Sequence, residues 1–204
     1  MQLPFLSIRT MARNRGFTFI ETKRRVSRET VGQILGTLFY CIAAILLAAV
    51  LVVSFGMRVS MIGSSMRPTL ENGQVVLVDR FMFKLTHPDR FDVVCFYPKG
   101  NENTHIYIKR IIGLPGETIQ IKEGYVYVNG VRLIEDETYD LILDPGLFDV
   151  EFKMGDDEYF VLGDNRNNSE DSRIGNIGAV TTDMMLGKAW FKLSGNDNRA
   201  GFVK

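Results

Sequence analysis

"HIYIKRIIGLPGE", residues 105–117, has the pattern of a β-strand running into a tight turn, with isoleucines through the run and Leu-Pro-Gly closing it. A lysine and an arginine stand side by side among the isoleucines. Side chains alternate along a strand, so Tyr107, Lys109 and Ile111 face one way while Ile108, Arg110 and Ile112 face the other. The two cations therefore do different jobs. A lysine desolvated among apolar neighbours loses part of its preference for the ammonium form. At the usual pKa near 10.4 only about 0.4 per cent is neutral at pH 8; a fall of about two units makes a large fraction neutral, at ~2.7 kcal/mol. Such an amine is a general base. Taken alone, Lys109 reads rather as an edge-strand lysine whose ammonium reaches solvent.

Comparable runs fill the chain after residue 57: "QVVLVDRF", "DVVCFYP", "ETIQIKEG", "YVYVNGVRL", "EYFVLGD" and "GKAWFKL", each bounded by Gly, Pro, Asn or Asp. In "YVYVNGVRL" the pair Asn129-Gly130 predicts a two-residue type I′ hairpin, because both turn residues accept positive φ. The pattern predicts a mainly β fold, an antiparallel, barrel-like β domain over residues 57–204. Repeats, low-complexity linkers and strongly amphipathic helices are missing from this part, which reads as one unit. The apolar clusters "FMF" (81–83) and "FYP" (96–98) are expected mostly in the core, with insertion into the membrane interface as the alternative.

Upstream the composition changes. No charged residue lies between Gln33 and Met57, and "ILGTLFYCIAAILLAAVLVVSF" supplies the roughly 20 apolar residues a helix needs to cross a bilayer. A core helix of this length would show a polar face, and a cleaved signal peptide has a shorter apolar region nearer the N-terminus. Residues 33–56 are therefore expected to form one transmembrane helix. Seven basic and two acidic residues fall in 1–32; the chain is neutral overall, so the tail carries about +5 and the rest about −5. Basic flanks stay on the cytoplasmic side. The expectation is a single-pass protein of the cell membrane, with residues 1–32 a basic cytoplasmic tail and residues 57–204 extracytoplasmic. Cys41 lies in the span and Cys95 beyond it, so no intramolecular disulfide is expected.

A hydrolytic Ser-His-Asp triad would have to use His87 or His105, the only histidines. Soft ligands are too few for a closed zinc site, and the polar stretch "VLGDNRNNSEDSRIGNIG" (161–178) lacks EF-hand spacing. Neither metal nor other cofactor is expected, and no nucleic-acid partner. That stretch, and "MIGSSMRPTLENG" (61–73) just past the span, read in isolation as a polar turn and an irregular connector.

Together, "GSSMRPTL", "RFDVVCFYP", "YIKRIIGLPGE" and "GDNRNNSEDSRIGNIG" resemble, in order, the motifs of the type I signal peptidases, membrane-anchored serine proteases with a Ser-Lys dyad. The resemblance runs from the span to about Trp190. It implies that Ser65 is the nucleophile, Lys109 the general base, and Ser169 the hydroxyl that orients Lys109. It implies supporting ion pairs Asp171–Arg173 and Arg110–Asp164, and an oxyanion and support region at Gly63, Ser64 and Met66. Some relatives carry a serine where this chain has Gly63, so the oxyanion hole is expected to rest on the Ser65 N–H, alone or with water. The implied substrates are secretory preproteins with small residues before the cut, bound as an extended strand. Ser65 follows the span by about ten residues, which at ~3.3 Å each keeps it within ~35 Å of the bilayer. Two other readings stay open: a soluble, self-cleaving Ser-Lys regulator, disfavoured by the span, and a non-catalytic membrane-tethered binding module.

Overall fold

The computed structural model of the chain describes residues 28–100, 105–135, 137–194 and 200–203. The basic tail expected over residues 1–32 lies, up to residue 27, outside them. The uncharged stretch forms helix α1 (Arg28–Phe55), which starts before the expected span. Its 28 residues reach about 42 Å at ~1.5 Å per residue. Within Arg28–Val53 its most apolar 18-residue window has a mean hydropathy of 2.6, and the helix is long and apolar enough to cross a membrane. Leu38, Phe39, Ile45 and Val53 are all exposed. A helix apolar on every side, with these side chains unburied, is suited to hydrocarbon rather than water.

Beyond it, in chain order, come β1 (Met57–Ser60), β2 (Val75–Asp79), a single helical turn α2 (Met82–Leu85), β3 (Val93–Phe96), β4 (Tyr107–Gly113), β5 (Thr118–Lys122), β6 (Tyr125–Val128), β7 (Val131–Arg132), β8 (Phe152–Lys153), β9 (Glu158–Leu162), β10 (Val180–Thr181), β11 (Met185–Lys192) and β12 (Gly201–Phe202). All the pairings among them are antiparallel. The large sheet runs β1-β2-β11-β3-β4-β9-β10, with β12 beside β11, and the smaller one runs β7-β6-β5-β8. Bulges in β11 and β4 curl the large sheet, giving the expected barrel-like β architecture as an open sheet. Asn129 (φ 51°) and Gly130 (φ 79°) turn the β6–β7 hairpin as a type I′ turn requires.

Two local expectations change. The run "QVVLVDRF" stops as a strand at Asp79, because that carboxylate accepts hydrogen bonds from the N–H groups of Phe81 and Met82 and starts α2. Of "FMF", Phe81 and Met82 are consequently exposed, while Phe96 of "FYP" is fully buried. The strands β1, β8, β10 and β12 have no counterpart among the runs picked out by pattern; at two to four residues they are too short for periodicity to register.

β4 is central. Its alternation sends Ile108 into a cluster with Val59, Met66, Leu70 and Val78. Ile112 joins a second cluster around Phe148 and Phe160, and Ile111 a third around Phe96 and Tyr159. Each buried isoleucine contributes roughly 1.5–3 kcal/mol. One strand is thus fixed by three separate cores, and the side chains between the isoleucines have little freedom to shift.

Arg110 is held in that frame. Its Nε and Nη2 each donate to Asp164 at 2.7 Å, and its Nη1 donates to the Phe91 carbonyl at 2.8 Å. Thr69 Oγ1 donates to the same carboxylate. Arginine and aspartate side chains are 2% and 0% exposed. Removing one partner leaves a buried charge uncompensated. Asp164→Ala is expected to lower stability by about 3–5 kcal/mol, a drop in Tm of roughly 10 °C at ~2–4 °C per kcal/mol, whereas Arg110→Met with Asp164→Leu should recover much of it. Thermal melts of the detergent-solubilised chain check both.

Candidate active site

Ser65 lies in the turn between β1 and β2. Met66 and Leu70, which follow it, are fully buried in the first cluster, and the Leu70 N–H donates to the Met66 carbonyl at 2.8 Å. Two apolar side chains thus hold the turn while Ser65 itself stays half-buried. Just before it, Gly63 adopts φ +86°, a left-handed conformation in which a side chain is strained, and donates its N–H to Asn72 Oδ1 at 2.9 Å. A serine here would have to be built on that strained backbone.

The loop after β9 grips the same turn. The Asn165 N–H donates to the Ser65 carbonyl at 3.0 Å, Asn165 Nδ2 to the Ser64 carbonyl at 3.2 Å, and Asn168 Nδ2 to Ser64 Oγ at 3.0 Å. At Gly163 a Cβ would collide with the Ser65 carbonyl oxygen and Ser169 Oγ, so the approach of the two segments requires glycine. Among the described residues nothing hydrogen-bonds to the Ser65 N–H, which leaves it available as a donor.

Lys109 comes from β4, opposite Val94 of β3, and only 3% of it is exposed. Its Nζ lies 2.7 Å from Ser65 Oγ, the one hydrogen bond the amine makes among the described residues. Burial lowers its pKa from 10.5 to about 8. The charges of Asp171, Glu170 and Asp164 oppose that fall, and Arg173 adds to it. Asp171 is neutralised in turn by Arg173, whose Nε donates to Oδ1 at 2.8 Å and Nη2 to Oδ2 at 2.9 Å. The same carboxylate accepts the Gly163 N–H at 3.1 Å. Ser169 lines the cleft beside Lys109; its Oγ is buried and makes no hydrogen bond among the described residues.

The structure therefore brings Ser65, Lys109 and Ser169 to one cleft of about 470 Å³, with Gly63 and Ser64 on its wall and Met66 beneath. Arg110, Asp164, Asp171 and Arg173 lie behind it as two buried ion pairs. His105 lines the cleft but stacks on Tyr107, rings 4.9 Å apart, and makes no hydrogen bond to Ser65; the triad alternative has no geometry behind it. No cluster of three or more metal-ligating side chains occurs among the described residues. Both cysteines are free, and burial pushes the Cys95 thiol up to about 12. Pattern reading missed Thr69, Asn165 and Asn168, which hold the turn and the ion pair. The only trace of them was the density of Asn in residues 165–168 and a threonine one position after Pro68.

Comparison with known proteins follows the same outline. Residues 34–194 match the family model described as "Signal peptidase, peptidase S26". The chain belongs to this signal peptidase family. Among curated relatives, a "Probable signal peptidase I-2" of Synechocystis sp. is 40% identical over 134 residues, 63% of this chain and 59% of that protein. The "Signal peptidase I" of Bacillus amyloliquefaciens is 37% identical over 140 residues, 63% of this chain and 71% of that protein. The crystal structure of a signal peptidase I from Enterococcus faecalis is 30% identical, covering 50% of this chain and 97% of that one, with a TM-score of 0.39. The match to the first relative thus spans less than two thirds of that protein's length.

Burying an unpaired amine in this family member has a cost that depends on pH. Below about pH 8 the folded and unfolded chains both hold the proton on Lys109, and the full penalty, about 3 kcal/mol, opposes folding. Between about 8 and 10.5 the folded chain has released the proton and the unfolded chain has not, so the penalty fades as pH rises. Lys109→Met is expected to melt at a higher temperature than the parent at pH 7, with the gap narrowing towards pH 10. Calorimetry at the two pH values checks the sign.

Proposed function

We propose that this chain is a membrane-bound serine endopeptidase that removes N-terminal signal peptides from secretory preproteins. The observation that carries the reading is the 2.7 Å contact between the buried Lys109 amine and Ser65 Oγ, with the amine's pKa lowered to about 8. Near pH 8 a large fraction of the amine is neutral. Neutral Lys109 accepts the proton of Ser65 Oγ, and the oxygen attacks the scissile carbonyl. The unpaired Ser65 N–H meets the developing oxyanion. The resulting ammonium gives its proton to the leaving amine, an acyl-enzyme remains, and water activated by the same amine releases it. Ser169, whose buried hydroxyl makes no hydrogen bond among the described residues and lines the cleft with Lys109, orients the amine as it gains and loses the proton. Arg110–Asp164 and Asp171–Arg173 are support: they hold β4 and the Asn-rich loop against the serine turn.

The substrate runs extended along the cleft between Met61–Gly63 and Ile106–Ile108, exchanging backbone hydrogen bonds with an edge. The apolar lining from Met61, Ile62 and Ile108 accepts small side chains before the cut. Helix α1 anchors the enzyme in the cell membrane, with the basic N-terminal flank cytoplasmic and residues 57–204 outside.

Incubating the detergent-solubilised chain with a preprotein and sequencing the new N-terminus tests this. One cut after a small residue is expected, and none with Ser65→Ala; cleavage that persists in the alanine variant, or cuts without preference for small residues, would sink the reading. Lys109→Arg keeps the charge but cannot deprotonate in the working range, so it too should be inactive. Because the working form is the neutral amine, kcat/KM should rise with pH and reach half its plateau near pH 8, as Lys109 loses its proton. A pH–rate profile that falls through this range would remove Lys109 as the base.

A further inference from the structure

The cleft does not end at the dyad. A second cavity of about 370 Å³ adjoins it, and the two share one wall, made of His105, Tyr107 and Glu170. Pro98, Ile174 and Ile177 line the second cavity further in. The Tyr107 hydroxyl donates to Glu170 Oε2 at 3.1 Å, and the His105 ring lies flat on the Tyr107 ring at an interplanar angle of 16°. Glu170 is exposed and, among the described residues, has no cation paired with it. Among the described residues it is the only carboxylate on the cleft lining.

This combination has a chemical complement. A carboxylate held by one hydrogen bond attracts a cation, and apolar walls accept a hydrocarbon stem; the Tyr107 ring, with Lys109 Nζ already 5.3 Å from its centroid, contributes shape to the wall. Lysine and arginine are the side chains with a long apolar stem and a terminal cation. The placement fits the polypeptide. Tyr107 at the start of β4 and His105 just before it stand two and four positions from Lys109, up to roughly 7 and 13 Å away at ~3.3 Å per residue. An extended chain reacting at Ser65 and lying beside that strand brings a side chain to this wall two to four residues from the scissile bond.

We propose that Glu170, the stacked Tyr107 and His105, and the apolar slot behind them form a subsite for a lysine or arginine side chain of the substrate polypeptide, two to four residues from the cut. The proposal uses the endopeptidase reading only to locate the bond at Ser65. Glu170 is then a specificity residue, and its effect appears as a ratio between substrates.

The test separates the two readings by measuring binding without cleavage. Fluorescent peptides of one sequence, with small residues before the cut, carry a single Lys or, in a matched set, a single Glu at each position two to four residues either side of the bond. Their anisotropy is titrated with the full chain carrying Ser65→Ala, in a non-ionic detergent. At one position the Lys peptide should bind about five- to tenfold tighter than its Glu partner, and the ratio should shrink at high salt. Adding Glu170→Gln should bring the ratio near one, and Glu170→Lys should invert it. Equal binding of Lys and Glu peptides at every position, a preference that survives Glu170→Gln, or no binding of any peptide would each overturn the subsite. With Ser65 intact, the ratio of kcat/KM for the same pairs should follow the binding ratio. Cleavage with no Lys preference would leave the endopeptidase standing without the subsite, and a Lys preference in binding with no cleavage would do the reverse.

Discussion

Two neighbouring cationic side chains on one strand are both withdrawn from water, and only one of them is given a counter-charge. Arg110 has a bidentate carboxylate in Asp164; Lys109, on the opposite face, has a neutral hydroxyl in Ser65. Everything else in the β-rich part is compatible with that inequality. A paired arginine remains an ion at any working pH and serves as a brace, whereas a buried lysine without a counter-charge holds its proton less tightly. The alternation of a strand makes this possible, because consecutive residues are delivered to different environments without a turn between them.

The surrounding charges are arranged so that this difference persists. Asp171 lies near enough to raise the Lys109 pKa, yet its own charge is tied up by Arg173 and its second oxygen by the Gly163 N–H. The carboxylate holds the loop, and its pull on the lysine is partly offset by the arginine. Stability and chemistry oppose each other at this point: the interactions that fix β4 in three apolar clusters also hold a lysine where its ammonium form is disfavoured. The clusters supply the free energy that tolerates the burial.

The serine turn shows the same division between framework and reacting group. Met66 and Leu70 sink into the first cluster, while Asn165 holds the carbonyls of Ser64 and Ser65 from the other side. Gripping the carbonyls leaves the Ser65 hydroxyl to the Lys109 amine and, among the described residues, the Ser65 N–H without a hydrogen bond. Gly163 makes the arrangement compact, since any side chain there would separate the serine turn from Ser169. On the cleft's outer wall the constraint relaxes. Glu170 is exposed and, among the described residues, held by a single hydrogen bond, from the Tyr107 hydroxyl.

Much of this was legible in the sequence. Alternation along "HIYIKRIIG" separated Lys109 from Arg110, Asn129-Gly130 named its own turn, and an uncharged stretch of the length of a membrane announced its helix, because each of these signals is local and follows from backbone geometry or composition. The four ordered motifs identified the family and with it the residues to watch. What the sequence could not supply were relations between segments far apart in the chain. That Ser65 meets Lys109, 44 positions away, that Asn165 closes on the serine turn from 100 positions away, and that Thr69 joins the Arg110–Asp164 pair are consequences of how β1, β4 and β9 share one curled sheet. The lowered pKa belongs with them. A lysine carries no mark in its sequence that says it will be neutral; that property arises when tertiary packing removes water from the amine and offers no carboxylate in return.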